Sequence, residues 1–410
     1  MNALRKYTFA IMLTMTLPLM AASVIRQAKE SIKKKQNLEQ TANNLMAEAA
    51  KPETKHKDKI ECLLLAAECS QKLYEAENLK LYLKQKYDTA KFFSSILDMF
   101  VRLEKADSIG SSHDEKGRVK PVYRRRNHDI LKPFRGNLLN GGRWYFRKAQ
   151  MAQAYPYLDT YVSSATHPFF VGDSLMKTDT LIRPTAYLAA VAAHMNNNAD
   201  GVIKHAALAK EAGLKSHLIQ EYCSRAWLAK GDTAMWLRTL DDGNRAYPNH
   251  TFFFTNLIDY HIACADYDRG LALADSMTHV ADTIAIFWYA KSLVYLKQGK
   301  DREVIDACDS CLARDAKFVD AYYNKGIASL NLAAIYAEQA CTDINNPQSR
   351  RDREIIRSLY LLARQPMEQV RALSPDDKAR WAPPLYRIYL NLNMGKEFDE
   401  MDRILKEIQK

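Results

Sequence analysis

Residues 285–295 read A-I-F-W-Y-A-K-S-L-V-Y, and residues 319–329, 34 positions later, read V-D-A-Y-Y-N-K-G-I-A-S. An aromatic stands at the fourth place of each stretch (Trp288, Tyr322) and a small residue at the eighth (Ser292, Gly326). Gly299 follows the first stretch as a turn, and a helical pattern then runs to Leu312. Stepping back by the same interval gives openings near Thr251, His217 and Arg183. Gly231 falls where Gly299 does, Pro248 falls where a unit should end, and Ala186, Ala190, Ala193 and Ala209 fall at close-packing places. A period of this length marks a helix–turn–helix array. One helix pair cannot hide its apolar face unaided, so neighbouring pairs must stack, with small residues where helices approach and large ones filling between. A large side chain at Gly326 would overpack such a crossing.

The rest of the chain agrees with an all-α architecture. Only 14 of 410 residues are glycine, against roughly 7% in average chains, and no run alternates as a half-buried strand does. The start has the layout of a secretory signal peptide over residues 1–22: Arg5 and Lys6, an apolar run from Tyr7 to Met20, then Ala21 and Ala22. This predicts an exported, periplasmic protein, or a membrane-anchored one if the segment stays uncleaved. The formal net charge is +11, and +9 without the first 22 residues. Seven scattered cysteines are an odd number, which leaves at least one thiol outside any internal pairing.

Four regions follow the leader. Residues 23–107 are helical and include a possible divergent repeat, with Asp88 placed to cap the helix after it. Residues 108–142 form a basic loop or linker, in which Gly141-Gly142 interrupt a helix or make a turn. Residues 143–340 carry the repeat array. Residues 341–410 begin with a polar loop, resume as helix at Arg353, and end in a repeat and a cap.

These residues resemble the tetratricopeptide repeat (TPR) family. That family's pattern places Trp, Leu, Gly and Tyr along the first helix, Ala and Phe or Tyr along the second, and Pro at the end. Tyr322 and Gly326 match the Trp and Gly places, Trp288 and Tyr295 the Trp and Tyr places, and Pro248 the terminal Pro. Ser292, Val304 and Ala316 depart from the Gly, Ala and Pro places. The resemblance spans Arg183 to Ala340 and extends more faintly over Arg143–Phe170 and Asp352–Lys410. With the leader and the G-G-R-W-Y-F segment, the chain looks like an exported TPR-like protein of Bacteroides-type bacteria. The resemblance implies an α-α superhelix of stacked TPR-like pairs. It also implies a groove lined by places 2, 5, 9 and 12 of each first helix: Ile286, Tyr289, Leu293 and Leu296; Asp320, Tyr323, Ile327 and Leu330; Leu218, Glu221, Arg225 and Leu228. Tyr289, Tyr323 and Arg225 are the partner-binding candidates on that face.

Other chemistry is weakly signalled. Cys308-Asp-Ser-Cys311 has no second ligand pair and reads as packing. The glycines around Arg143 lack the Lys-Ser/Thr of a phosphate loop, and no HExxH or GxSxG occurs. No cofactor or metal is therefore expected. The sharpest outlier is the basic stretch from Lys116 to Lys148, where Arg124, Arg125 and Arg126 are candidates for an anionic ligand or are paired with acidic helix faces. Nucleic acid is not expected for an exported protein. The sequence thus predicts a non-enzymatic envelope scaffold for a protein or peptide partner. The alternatives are a helical glycan-binding or glycan-processing protein, which would need two carboxylates facing across a cleft, and a membrane-anchored assembly factor.

Overall fold

The computed structural model describes residues 21–119, 121 and 123–408. The apolar leader at residues 1–20 lies outside the described residues. Residues 21–34 are helical (α1). The chain continues through α2 (Leu38–Ala50), α3 (His56–Tyr82), α4 (Thr89–Gly110), α5 (Arg124–Leu131), α6 (Arg135–Arg147), α7 (Met151–Ser164), α8 (Leu175–Thr178), α9 (Ile182–Met195), α10 (Ala199–Glu211) and α11 (Ser216–Ala229). There follow α12 (Thr233–Ala246), α13 (Thr251–Ala263), α14 (Tyr267–Val280), α15 (Ala285–Lys297), α16 (Asp301–Leu312), α17 (Val319–Gln339), α18 (Pro347–Leu373), α19 (Lys378–Asn391) and α20 (Gly395–Ile408). No strand occurs among the described residues. None of their helices is long and apolar enough to cross a membrane.

The repeat is visible in the helix starts. First helices open at Ile182, Ser216, Thr251, Ala285 and Val319, and second helices at Ala199, Thr233, Tyr267 and Asp301, each 34 or 35 residues after the last. Left-handed backbone at Gly231 and Gly299 reverses the chain between the two helices of a pair, a conformation that costs glycine nothing. The chain forms two compact units, one ending at Asp232 and the other beginning at Thr233. The predicted repeat that opens near His217 is therefore divided between them.

In the first unit, α2, α3 and α4 close over Leu45, Cys62, Leu63, Ala66 and Cys69. A larger core joins α4, α6, α7 and α9 around Phe100, Leu138, Tyr157, Leu158 and Phe170. Asp88 caps α4 as expected, its carboxylate accepting from the Lys91 amide at 3.0 Å. The stretch 108–142 is more ordered than a loop: α4 runs on to Gly110, and α5 and most of α6 fall within it. Its Leu131 and Leu138 are fully buried, which the sequence pattern did not reveal. Gly141 and Gly142 neither break nor turn the chain. They lie inside α6, where an added Cβ would stand 3.0 Å from Phe93 and Tyr157 and 2.6 Å from Leu158. The pair is there so that α6 can approach α4 and α7 closely.

In the second unit, successive pairs bury Phe253, Leu240 and Leu257, then Phe254 and Phe287, then Val304, Cys308 and Cys311. Both cysteines of the CxxC pack as apolar residues. Burial pushes the Cys308 thiol up to about 11 and the Cys311 thiol up to about 12, which keeps them protonated and unreactive. The helix after the polar loop begins at Pro347, earlier than Arg353. Asn346 accepts from the Gln348 amide at 2.9 Å and Pro347 occupies the first helical turn, where its missing N–H costs nothing. The last cluster packs Tyr360, Met367, Trp381, Leu385 and Met401.

Candidate functional site

The first helices of the second unit touch in order: α13 meets α15, α15 meets α17, and α17 meets α19. Three of them bring Tyr289, Asp320, Tyr323 and Arg380 together. The Arg380 guanidinium lies 4.4 Å from the centre of the Tyr323 ring. It also donates to an Asp320 carboxylate oxygen at 2.5 Å. The pair is partly open to solvent, with side chains 28% and 47% exposed. An arginine clamped by a carboxylate and an aromatic face is held in one orientation and keeps further N–H groups for a ligand. Tyr289 sits deeper, against Phe318 at 4.9 Å. Burial first, and the Asp320 charge second, raise its phenol to about 12, so it stays neutral.

Arg380 was not among the residues singled out from the sequence. One signal was available. It stands in the first turn of α19, where the helix dipole disfavours a cation, so a tertiary partner was to be expected. Of the other predicted groove places, Ile286, Leu293, Leu296 and Ile327 are half-buried. Leu330 is 4% exposed and belongs to the core, because the long α18 covers the far half of α17.

Arg225 lies in the first unit, apart from this cluster in the chain. It pairs with Glu221 at 2.7 Å and lines a cleft of about 380 Å³ with His194, Asn197, Tyr222 and Leu228. His194 stacks on Tyr222 with ring centres 3.8 Å apart. Burial, and then the Arg225 charge, lower its basicity.

The basic stretch is divided between internal pairing and exposure. Arg124 grips Asp107 through Nε and Nη2 at 2.8 and 3.2 Å and reaches Ser111 at 2.8 Å. Arg135 is buried, donating to Asp179 at 2.6 Å, the Ser164 hydroxyl and the Tyr161 carbonyl. Arg118 pairs with Asp114 and Lys132 with Asp173. Arg125 and Arg126 are exposed. Arg126 lines a cleft of about 320 Å³ with Lys29, Lys57, Glu61, Glu68 and Tyr123.

One carboxylate is strongly perturbed. Glu104 is raised to about 7, by burial first and by the Asp159 charge second. Burial alone would raise Asp159 as well. Hydrogen bonds from His205 at 2.8 Å and Lys204 at 2.5 Å more than offset that and hold it ionised. Two carboxyls with separated basicities are what acid–base chemistry requires. This pair lines none of the clefts described above, however, and Glu104 Oε1 is buried without a hydrogen-bond partner. No group of His, Cys, Asp and Glu suited to a metal occurs among the described residues.

Neither a family profile nor a curated protein sequence matches this chain. Solved structures do resemble it. A TPR repeats protein from Bacteroides fragilis is similar at 15% identity over 64% of this chain and 97% of its own, with a TM-score of 0.32. A tetratricopeptide repeat protein from Parabacteroides merdae is similar at 13% identity over 67% and 99%, with a TM-score of 0.35. The TPR2AB domain of yeast Sti1 in a pHSP90 complex is similar at 12% identity over 64% and 99%, with a TM-score of 0.25. At such low scores the fold assignment stands on this chain's own recurring helix pairs.

Proposed function

We propose that this protein is a non-enzymatic, exported scaffold of the cell envelope that holds a protein or peptide partner on the first-helix face of its second unit. The observation that carries this reading is the cluster of Tyr323, Asp320 and Arg380 across α17 and α19, with Tyr289 behind it. Aromatic and arginine side chains fixed in place by neighbours are the residue types that dominate binding energy in polypeptide interfaces. The partly exposed guanidinium and carboxylate offer donors and acceptors to a peptide backbone. The leader over residues 1–22 supports export, and the exposed Arg125 and Arg126 support a partner with some acidic character.

Affinity capture from the periplasmic and membrane fractions tests the whole reading. Wild-type protein is expected in the envelope fractions with a bound polypeptide. Each truncation in the pair Tyr323→Ala and Arg380→Ala should weaken recovery by roughly tenfold or more, as central interface residues do. Recovery of the chain in the cytosol, or equal capture by all three proteins, would contradict it.

A further inference from the structure

The turn between α3 and α4 is an apolar tip. Leu79, Leu81, Tyr82 and Leu83 are 58%, 41%, 82% and 53% exposed. Around them the sequence from Asn78 to Tyr87 carries three lysines, Lys80, Lys84 and Lys86, and no acid. Lys80 is tied to the buried Glu77 at 2.7 Å, and Glu77 also accepts from the Asp88 amide at 2.9 Å, which locks the hairpin behind the tip. Lys84 and Lys86 have no ion pair among the described residues and point to solvent. Large apolar side chains crowded at one protrusion mark an interaction site on a folded protein.

The arrangement selects the kind of partner. At 100° per residue, Leu79, Tyr82 and Leu83 share one side, at i, i+3 and i+4, and Leu81 points away from it. A partner's groove takes a stripe at that spacing and would leave Leu81 in water; a tip with apolar side chains on two sides suits immersion in a continuous apolar medium. The backbone is prepared for that too. Lys84 adopts left-handed φ of 57°, and the amides of Leu83, Lys84 and Gln85 donate to the carbonyls of Leu79, Leu81 and Lys80 at 3.0, 3.0 and 2.8 Å. These bonds satisfy the Leu79, Lys80 and Leu81 carbonyls of the last turn, as a lipid environment demands of each buried backbone group. Tyrosine favours the headgroup level, and two free lysines complement anionic lipid.

We propose that the α3–α4 tip inserts into the interface of an anionic lipid bilayer and orients the protein on that surface. The test uses the full chain with phosphatidylcholine vesicles, with and without phosphatidylglycerol. Amide exchange across residues 78–87 locates the contact, so the apolar leader, common to all proteins compared, does not confuse it. Protection of this segment is expected on phosphatidylglycerol vesicles. Serine at Leu79, Leu81, Tyr82 and Leu83 together should abolish the protection and lower binding on the order of tenfold or more. Lys84→Gln and Lys86→Gln should each lower binding roughly fivefold on anionic vesicles only. All substituted side chains are exposed, and unchanged helicity verifies folding. Wild-type protein that sediments with vesicles while residues 78–87 stay unprotected would overturn the proposal. Protection that rises with protein concentration in the absence of lipid would also overturn it, by assigning the tip to a second copy of the chain.

Discussion

Gly243→Ala is expected to destabilise the second unit by about 1–3 kcal/mol, although alanine is the better helix former. Gly243 lies in α12, and an added Cβ would come 2.5 Å from Cδ1 and Cε1 of Phe253. That ring is fully buried in α13 and has nowhere to turn, so the two helices must separate. Gly326→Ala provides the contrast. Its Cβ would come 2.6 Å from Cε and 2.8 Å from Cγ of Met367. Met367 is as buried as Phe253, but its unbranched chain can shift Cγ and the thioether together by small torsional changes where a rigid ring cannot, and the gain in helix propensity of about 1 kcal/mol then offsets the crowding. Gly326→Ala should therefore stay within about 1 kcal/mol of wild type. Native-state amide exchange in α13 and α17 reads both effects locally, which suits a chain of two units. Equal losses at the two sites would mean that ring against thioether is not what decides the cost.

A second large effect depends on pH. Glu104 is raised to about 7 in the folded chain and titrates near 4.3 when unfolded. Below about pH 4 both states hold the proton, and the group contributes nothing to stability. Between these values the unfolded chain releases its proton and the folded chain keeps it, so stability falls as pH rises, and the loss is complete above about pH 7. The size is on the order of 3 kcal/mol. Glu104→Gln is expected to remove this loss: variant and wild type should be alike at pH 4, and the variant should be more stable by up to about 3 kcal/mol at pH 8. Asp159 acts in the opposite sense, losing its contribution as pH falls, but it is common to both proteins and cancels in the comparison. Urea denaturation at the two pH values gives the answer. A variant less stable than wild type at pH 8 would show that the Glu104 carboxylate is ionised and stabilising.

The repeat was legible because its signals are local and periodic. Ala285, Ser292, Gly299 and Gly326 declare turns and close approaches wherever they recur. What was hidden depends on distant neighbours. Gly141-Gly142 looks like a turn until Phe93 and Leu158 are seen against it. Pairing of the basic stretch with acidic helix faces was one reading of the sequence, but the partners of Arg124 and Arg135 are Asp107 and Asp179, 17 and 44 residues away, which no local pattern names. Asn346-Pro347 was a readable helix start, outweighed by the polar composition around it. The candidate site was half legible: the register gave Tyr289, Asp320 and Tyr323, but Arg380 comes from beyond an irregular hairpin that breaks the period. Nothing in the composition of residues 79–83 separates their leucines from core positions, and only their exposure reveals the tip.

The proposed polypeptide-binding surface is the first-helix face of α15, α17 and α19. A photo-activated crosslinking residue in place of Tyr323, in living cells, tests that directly. A discrete crosslinked polypeptide is expected, and it should be missing when the same residue replaces Arg302, an exposed position on the second helix α16. Crosslinks equal at the two positions, or none at 323 while the protein is abundant and folded, would contradict it.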